Sequence, residues 1–214
     1  MALESDGTAD LLRQALGGNE TALAEMLAEF RPRLRQMVRL RIDPRIRGRI
    51  DASDVLQEAF FDVRRRIAEY AADPRIPFYL WLRLLVGQRL VDIHRQHLGA
   101  QMRDARLEVS IDSGNLPHTT SESLAAQLLG RLTSPSRALE RADRQLLVQE
   151  ALQAMDPLDR EILALRHFEL LSNSECATAL GLSKSAASNR YIRALLRIKE
   201  VLQQHGRHLP DELA

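Results

Sequence analysis

The stretch from Ser172 to Arg197, SNSECATALGLSKSAASNRYIRALLR, decides what kind of fold this chain has. Ser172 and Glu175 stand at the two ends of a capping box, in which each side chain accepts from the other residue's exposed amide. Cys176, Ala177 and Leu180 follow on one helical face, and the small Ala177 lets a second helix approach closely. Gly181 supplies a tight turn, Leu182 points to the core, and Ser183 caps the next helix. That helix carries Lys184, Arg190, Arg193, Arg197 and Lys199 against Glu200. A short helix, a glycine turn and a basic second helix make a helix-turn-helix, whose second helix enters the DNA major groove. A glycine alone ends many unrelated hairpins, and a basic helix alone is often just solvated; the combination at these offsets favours DNA. Ser185, Ser188 and Asn189 are candidates for base edges, and Lys184 and Arg190 for bases or phosphates. Arg193 and Arg197, further along, are placed for phosphates. Cys176 reads as a small buried hydrophobe rather than a redox thiol.

Working upstream, Asp156-Pro157 restarts the chain with an N-cap and a proline at the first helical position. Helical spacing precedes it through Leu139, Ala142 and Leu146. Residues 108–136 lack that spacing and are rich in Ser, Thr, Gly and Pro, so they read as a linker. Within it Leu124–Leu129 has the pattern of a short helical turn, extendable to Leu132. In the N-terminal block, Ala9–Leu16 is a short helix closed by Gly17-Gly18, and Asn19 caps a helix over residues 20–41. Pro32 is expected to kink or break that helix near Arg31. From Asp51 onward Leu56, Phe60, Val63, Ile67 and Tyr70 make one apolar stripe. Asp73-Pro74 and Pro77 bound a loop, and a further helix covers about residues 78–97. The reading is all-α: two small helical domains, residues 1–107 and 137–214, on a flexible joint at 108–136.

Composition removes other classes. Of 214 residues 45% are hydrophobic and 28% charged, enough for a packed core, while 4% aromatic disfavours a β-sandwich. No apolar run reaches the roughly 20 residues of a membrane span. The start of the chain lacks the pattern of a secretory signal, so a cytoplasmic protein without membrane insertion is expected. One cysteine excludes an internal disulfide and a Cys-rich zinc site. There is no phosphate-binding glycine loop, nucleophile elbow or zinc-binding histidine pair flanking a glutamate. No catalytic residue, metal, cofactor or small-molecule substrate is therefore expected, and the chain reads as a non-enzyme. His94 and His97, three apart, read as DNA or solvent contacts. The net charge of +1 hides a sorted distribution: all but Lys184 and Lys199 of the 30 basic residues are arginine. Eight of these lie in residues 31–49 against Asp43 alone, and residues 111–130 contain none. Arginine binds phosphate through two parallel hydrogen bonds and stacks on bases.

Two further patterns carry function in the N-terminal block. Asp54, Gln57, Glu58 and Phe61 make a second stripe beside the core face of their helix. Carboxylates, an amide and an aromatic ring at this spacing suit docking onto a basic protein surface, and a solvated face with a half-buried Phe61 fits equally well. Tyr70, Phe78, Tyr79 and Trp81 flank the Pro-bounded loop, and Arg83, Arg89, Arg95, Arg103 and Arg106 follow with His94 and Gln96 interleaved. Trp81 reads as core. Aromatic faces beside arginines suit a platform for single-stranded DNA; ordinary aromatic packing in a basic helical core is the alternative.

These residues resemble a bacterial extracytoplasmic-function (ECF) sigma factor. The resemblance rests on Asp54-Val55-Leu56-Gln57-Glu58-Ala59-Phe60, on Phe78-Tyr79-Leu80-Trp81-Leu82, and on Leu158-Asp159-Arg160-Glu161-Ile162-Leu163 with the helix-turn-helix. It covers residues 9–104 as region 2 and 138–203 as region 4, and the run Ser188–Leu195 resembles a planctomycete-type branch. The resemblance implies core RNA polymerase, promoter DNA and an anti-sigma factor as partners. It places Asp54, Gln57, Glu58 and Phe61 against the polymerase clamp helices. Tyr70, Arg75, Phe78, Tyr79, Arg83, Arg89, Asp92, Arg95 and Gln96 would handle the −10 element, with the loop from Tyr70 to Pro77 capturing a flipped base. Lys184, Ser185, Ser188, Asn189, Arg190, Arg193 and Arg197 would read the −35 element, and the linker would thread toward the RNA path. The loop 71–77 is longer and richer in proline than the family pattern, and Ala186 and Ser188 stand where many relatives have Thr and Lys. A dimeric helix-turn-helix regulator with an N-terminal partner- or ligand-binding domain is the competing reading; it has no need of the acidic-aromatic stripe.

Overall fold

The computed structural model describes residues 6–98, 117–132 and 138–204. Among these it contains nine α-helices and no strand. The chain divides into two compact units, with the boundary between Pro117 and His118.

Unit 1 is built from α1 (Asp6–Leu16), α2 (Glu20–Arg41), α3 (Ala52–Ala72) and α4 (Phe78–Leu98). Helix α2 starts where Asn19 accepts the Ala22 amide at 3.1 Å, as an N-cap should. The expected break at Pro32 does not occur: α2 runs through it. Pro32 lies on the exposed face, and the buried series Met26, Leu27, Phe30, Leu34, Met37 and Val38 holds the helix in register on both sides. Helix α3 begins at Asp51, whose carboxylate accepts the Ser53 amide at 2.7 Å while Asp54 accepts the Asp51 amide at 3.0 Å. Of the expected apolar stripe of α3, Leu56, Val63, Ile67 and Tyr70 are buried, together with Val55 and Ala59, while Phe60 is half-buried. Leu82, Val86 and Leu90 of α4 close the core from the other side. Each such aliphatic side chain removed from water stabilises the unit by roughly 1.5–3 kcal/mol.

Unit 2 holds α5 (Ser121–Leu132), α6 (Ala138–Gln153), α7 (Pro157–His167), α8 (Asn173–Leu180) and α9 (Lys184–Gln204). Three of its starts follow the sequence reading. Asp156 accepts the Leu158 amide at 2.8 Å ahead of Pro157. Ser172 and Glu175 form the capping box, the Ser172 amide donating to the Glu175 carboxylate at 2.8 Å. The Ser183 hydroxyl accepts the Ala186 amide at 3.1 Å. Gly181 takes the left-handed conformation, φ 64°, so that the Leu182 amide can reach back to the Ala177 carbonyl at 2.9 Å. Cys176 and Ala177 are buried, which lets α8 lie close to its neighbours.

The segment read as a linker differs most from expectation. Residues 121–132 form a full helix whose Leu124, Ala125, Leu128 and Leu129 are buried, and the helix packs on α6. The chain leading into it is fastened to α7: the amide and hydroxyl of Thr119 donate to the Glu161 carboxylate at 3.1 and 2.9 Å. Apolar residues at helical spacing outweigh the serines and threonines around them, which serve as the entry to the helix. The remainder of the expected linker, 108–116 and 133–136, lies outside the described residues, as do Arg103 and Arg106.

Candidate nucleic-acid interface

In unit 2 the helix-turn-helix fixes which part of α9 meets solvent. Ala187, Ala194 and Ile198 are buried against the unit. Lys184, Ser185, Asn189, Arg193 and Arg197 are exposed, and Ser188 and Arg190 are half-buried. All seven residues expected at the −35 element thus lie on one helix, with the short polar side chains in its first turns. The arginines are not equivalent. The Asp159 carboxylate of α7, only 5% exposed, receives Arg193 at 2.8 and 3.0 Å and Arg190 at 2.6 Å. Arg190 also lies 3.2 Å from Asp156. Burial pushes the Asp159 carboxyl upward, but the charge-assisted bonds from Arg193 and Arg190 outweigh it and hold it below its ordinary value. Arg190 is therefore committed to the domain, whereas the Arg193 side chain is 61% exposed and turned outward from its anchor. Arg197 lies 3.7 Å from Glu200 on its own helix. Behind α9, the Tyr191 hydroxyl meets His167 Nε2 at 3.1 Å, and Arg166 donates to the Leu171 carbonyl at 2.8 Å, bracing the turn between α7 and α8.

In unit 1 the acidic stripe of α3 is outward-facing as expected. Asp54, Gln57 and Glu58 are exposed, and Phe61 is 64% exposed, an aromatic ring left in water on a helix that buries its other stripe. Asp54 has a second task as the capping-box partner of Asp51. Glu58 lies 3.7 Å from Arg89, which also binds Asp62 at 2.7 Å and so ties α4 to α3.

The aromatic platform is corrected by the structure. Tyr70, Phe78 and Tyr79 are buried rather than exposed to a strand of DNA. Phe30 and Phe78 meet edge to face at 5.7 Å, and Tyr70 stacks on Trp81 at 4.8 Å. Tyr79 lies under the Arg33 guanidinium at 3.8 Å. Residues 78, 79 and 81 sit in the first turn of α4, and in a four-helix unit with few large side chains their rings fill the end of the core. The alternative of ordinary packing therefore holds for Tyr70, Phe78 and Tyr79, and Trp81, read as core, is half-buried. Arg83 is likewise buried, not on the DNA-facing surface. His94, read as a DNA or solvent contact, is buried too, with its Nε2 accepting the Asp43 amide at 3.2 Å. What remains outward in the −10 set is Arg75, paired with Asp73 at 2.6 Å, and Asp92, Arg95 and Gln96 along α4, with Arg89 half-buried. The Tyr70 hydroxyl donates to the Ile76 carbonyl at 3.0 Å, so the ring braces the 71–77 loop from below. Sequence reasoning missed Asp159 and Asp62 as anchors and gave His94 a different role; each acts on a residue more than 25 positions away, and no local spacing marks such a partner.

Among the described residues no group of His, Cys, Asp and Glu is placed to hold a metal ion, and no helix is long and apolar enough to cross a membrane. Residues 145–198, from the middle of α6 almost to the end of α9, match the sigma-70 region 4 family. The ECF RNA polymerase sigma factor SigD of Mycobacterium tuberculosis is 27% identical over 206 residues, 96% of this chain and 89% of SigD. Along most of its length the chain is similar to ECF sigma factors. The RNA polymerase sigma-E factor of Streptomyces antibioticus is 29% identical to it over 172 residues, 80% of this chain and 82% of that one. A solved structure of CnrH in complex with the cytosolic domain of CnrY shares the fold, with TM-score 0.56 at 24% identity over 93% of this chain and 99% of the solved chain. Helix α5 lies outside the region 4 match.

Proposed function

We propose that this chain is a sigma factor that binds core RNA polymerase through the exposed α3 stripe and directs it to promoters, with α9 reading the −35 element and unit 1 opening the −10 element. It works in the cytoplasm and has no covalent chemistry of its own. The observation that carries the reading is the outward face of α9: Lys184, Ser185 and Asn189 exposed in its first turns, with Arg193 aimed by the buried Asp159. The small polar side chains suit base edges, and the guanidinium suits a phosphate held at fixed register. In unit 1 the extruded base is received by the 71–77 loop, in which Ala72, Asp73, Pro74 and Arg75 are exposed, and not by the buried rings beneath it. Unstacking a base costs a few kcal/mol, which the receiving pocket must return. Asp92, Arg95 and Gln96 hold the adjoining duplex. CnrH has been solved with the cytosolic domain of CnrY, and an anti-sigma protein that covers these surfaces is a further partner of the same kind here. A dimeric operator-binding regulator gives no use for Phe61 in water beside three acidic and amide side chains.

The test is transcription by core polymerase with and without the full chain on sheared genomic DNA, with the RNA 5′ ends mapped. New starts that share two spaced sequence elements are the expected result. Tight duplex binding by an isolated dimer, with no new starts from a chain that is folded, overturns the reading in favour of the regulator.

A further inference from the structure

The turn between α2 and α3 belongs to neither the α3 stripe nor the side of α4 proposed to face DNA, yet it holds three of the eight arginines of residues 31–49. Residues 43–50 form a compact turn closed by bonds from the Ile46 amide to the Asp43 carbonyl at 3.1 Å and from the Arg49 amide to the Ile46 carbonyl at 2.9 Å. Ile42 and Ile46 are buried and anchor it to the unit. Arg45, Arg47 and Arg49 are exposed, and Arg39 emerges beside them from the last turn of α2. Arg45 is preoriented: its Nε and NH2 grip the two oxygens of Asp43 at 3.0 and 2.8 Å. Arg47 leans toward the Ile42 carbonyl at 3.4 Å.

The position of the turn is fixed by α4. The Asp43 amide donates to Nε2 of His94 at 3.2 Å, which sets the turn against the end of α4 that carries Arg95, Gln96 and His97 outward. We infer that Arg45, Arg47 and Arg49 form a second phosphate-binding surface of unit 1, which grips the duplex adjoining the DNA held by α4. This rests on the promoter-binding reading of α4. A nucleic-acid backbone is the partner that fits. All the cations are arginine, whose fork matches a phosphate. Apart from them the turn exposes Pro44 and Gly48, so it has no large apolar side chain to anchor a protein contact or to enter a lipid surface. A side chain at Gly48 would meet nothing within 4 Å, so a strand of DNA has open access to the backbone there.

The experiment compares holoenzymes assembled from core polymerase and the full chain, either unaltered, carrying R45Q, R47Q and R49Q together, or carrying Arg49→Gln alone. Affinity for a promoter found by the start-site mapping is measured over a salt series, on DNA with duplex extending upstream of the −10 element and on DNA cut back to that element. The slope of log affinity against log salt is expected to fall by about 0.9 for each phosphate no longer neutralised, so by about 2–3 for the triple variant and about 0.9 for Arg49→Gln. On the cut-back DNA the three proteins are expected to share one slope. Arg49→Gln changes one exposed side chain and keeps the Asp43–Arg45 pair, so it reads the surface even if the triple variant folds poorly. Equal slopes on the long DNA overturn the inference. So does a loss of core-polymerase affinity with unchanged DNA slopes, which would assign the turn to a protein partner. If the unaltered holoenzyme binds no promoter, the sigma reading fails first, and the failure is visible without any variant.

Discussion

Both units tie an arginine of a helix proposed to face DNA to a carboxylate of a neighbouring helix, and they do so in different ways. In unit 2 Asp159 is almost out of water and takes both Arg190 and Arg193 of α9. In unit 1 Asp62 is a quarter exposed and takes Arg89 of α4, with Glu58 as a distant second partner. Chemically the pairs are the same. Solvent makes them unequal: an exposed pair is screened and contributes under about 1 kcal/mol, whereas a sequestered carboxylate with three short bonds fixes the angle at which a whole helix is held. Helix α9 is thus locked to its domain, and α4 is only steadied. On the proposed function, a locked helix suits reading of a rigid duplex, and a steadied one suits a surface whose DNA must change shape.

The largest test of that contrast is removal of each carboxylate. Asp159→Ala leaves two guanidiniums of α9 without their anchor. Loss of an ion pair that is buried on both sides costs about 3–5 kcal/mol. Because the arginines themselves reach solvent, the expected loss is smaller, about 2–3 kcal/mol. Asp62→Ala should lose under about 1 kcal/mol. Urea unfolding separates the two: the single Trp81 lies in unit 1, so its fluorescence follows that unit, while helical circular dichroism follows both. Asp159→Ala should shift the dichroism transition and leave the Trp81 transition in place. Equal losses from the two variants would erase the distinction between a locked and a steadied helix.

Acid sharpens the comparison without any substitution. Burial lowers the His94 pKa below the usual histidine range; Asp43 opposes the shift and Arg45 adds to it. A histidine whose folded pKa is depressed binds fewer protons folded than unfolded. Its stabilisation is therefore intact above about pH 6.5 and drains away as pH falls from there toward the folded value. Asp159, also depressed, keeps its contribution above the ordinary carboxylate range and loses it only as pH falls through its own lower value. Unit 1 is expected to weaken first on acidification, with Trp81 fluorescence changing before most helix is lost. His94→Gln, whose carbonyl can accept the Asp43 amide without titrating, should remove the early phase. Simultaneous loss of both units would show that His94 has no separate role.

How much of the molecule is legible in its sequence depends on the range of the interaction. The capping box at Ser172, the left-handed Gly181, the cap at Asp156 and the apolar stripe of α3 are settled within a few residues of chain, and the structure holds each of them where the sequence places it. The two differences in the helices arise where packing overrides a local signal. Pro32 stays inside α2 because buried residues on both sides outweigh one missing hydrogen bond, and the Ser- and Thr-rich segment yields α5 because four apolar residues find α6. The aromatic platform fails for a different reason: composition shows that rings and arginines are near one another, but only the packed unit shows which face inward. The fastening of Arg190 to Asp159 spans 31 residues and leaves no mark in the sequence.

The smallest effect concerns a cost carried by unit 2 beside its locked helix. Leu170, between α7 and α8, has φ 55°, in the left-handed region where a residue with a Cβ is strained. Its side chain is 64% exposed, so it contributes little burial in return. The conformation serves its neighbour, whose amide reaches the Leu165 carbonyl at 3.0 Å and closes α7. Leu170→Gly relieves strain of about 1 kcal/mol, partly offset by glycine's greater freedom in the unfolded chain. A net gain of about 0.5 kcal/mol is expected, raising Tm by about 2–4 °C in the dichroism transition alone. Leu170→Ala keeps the strain while removing most of the side chain and should give no gain. If glycine instead destabilises unit 2, then Leu170 is held by contacts that outweigh its backbone cost, and the turn between α7 and α8 is as firmly built as the anchor at Asp159.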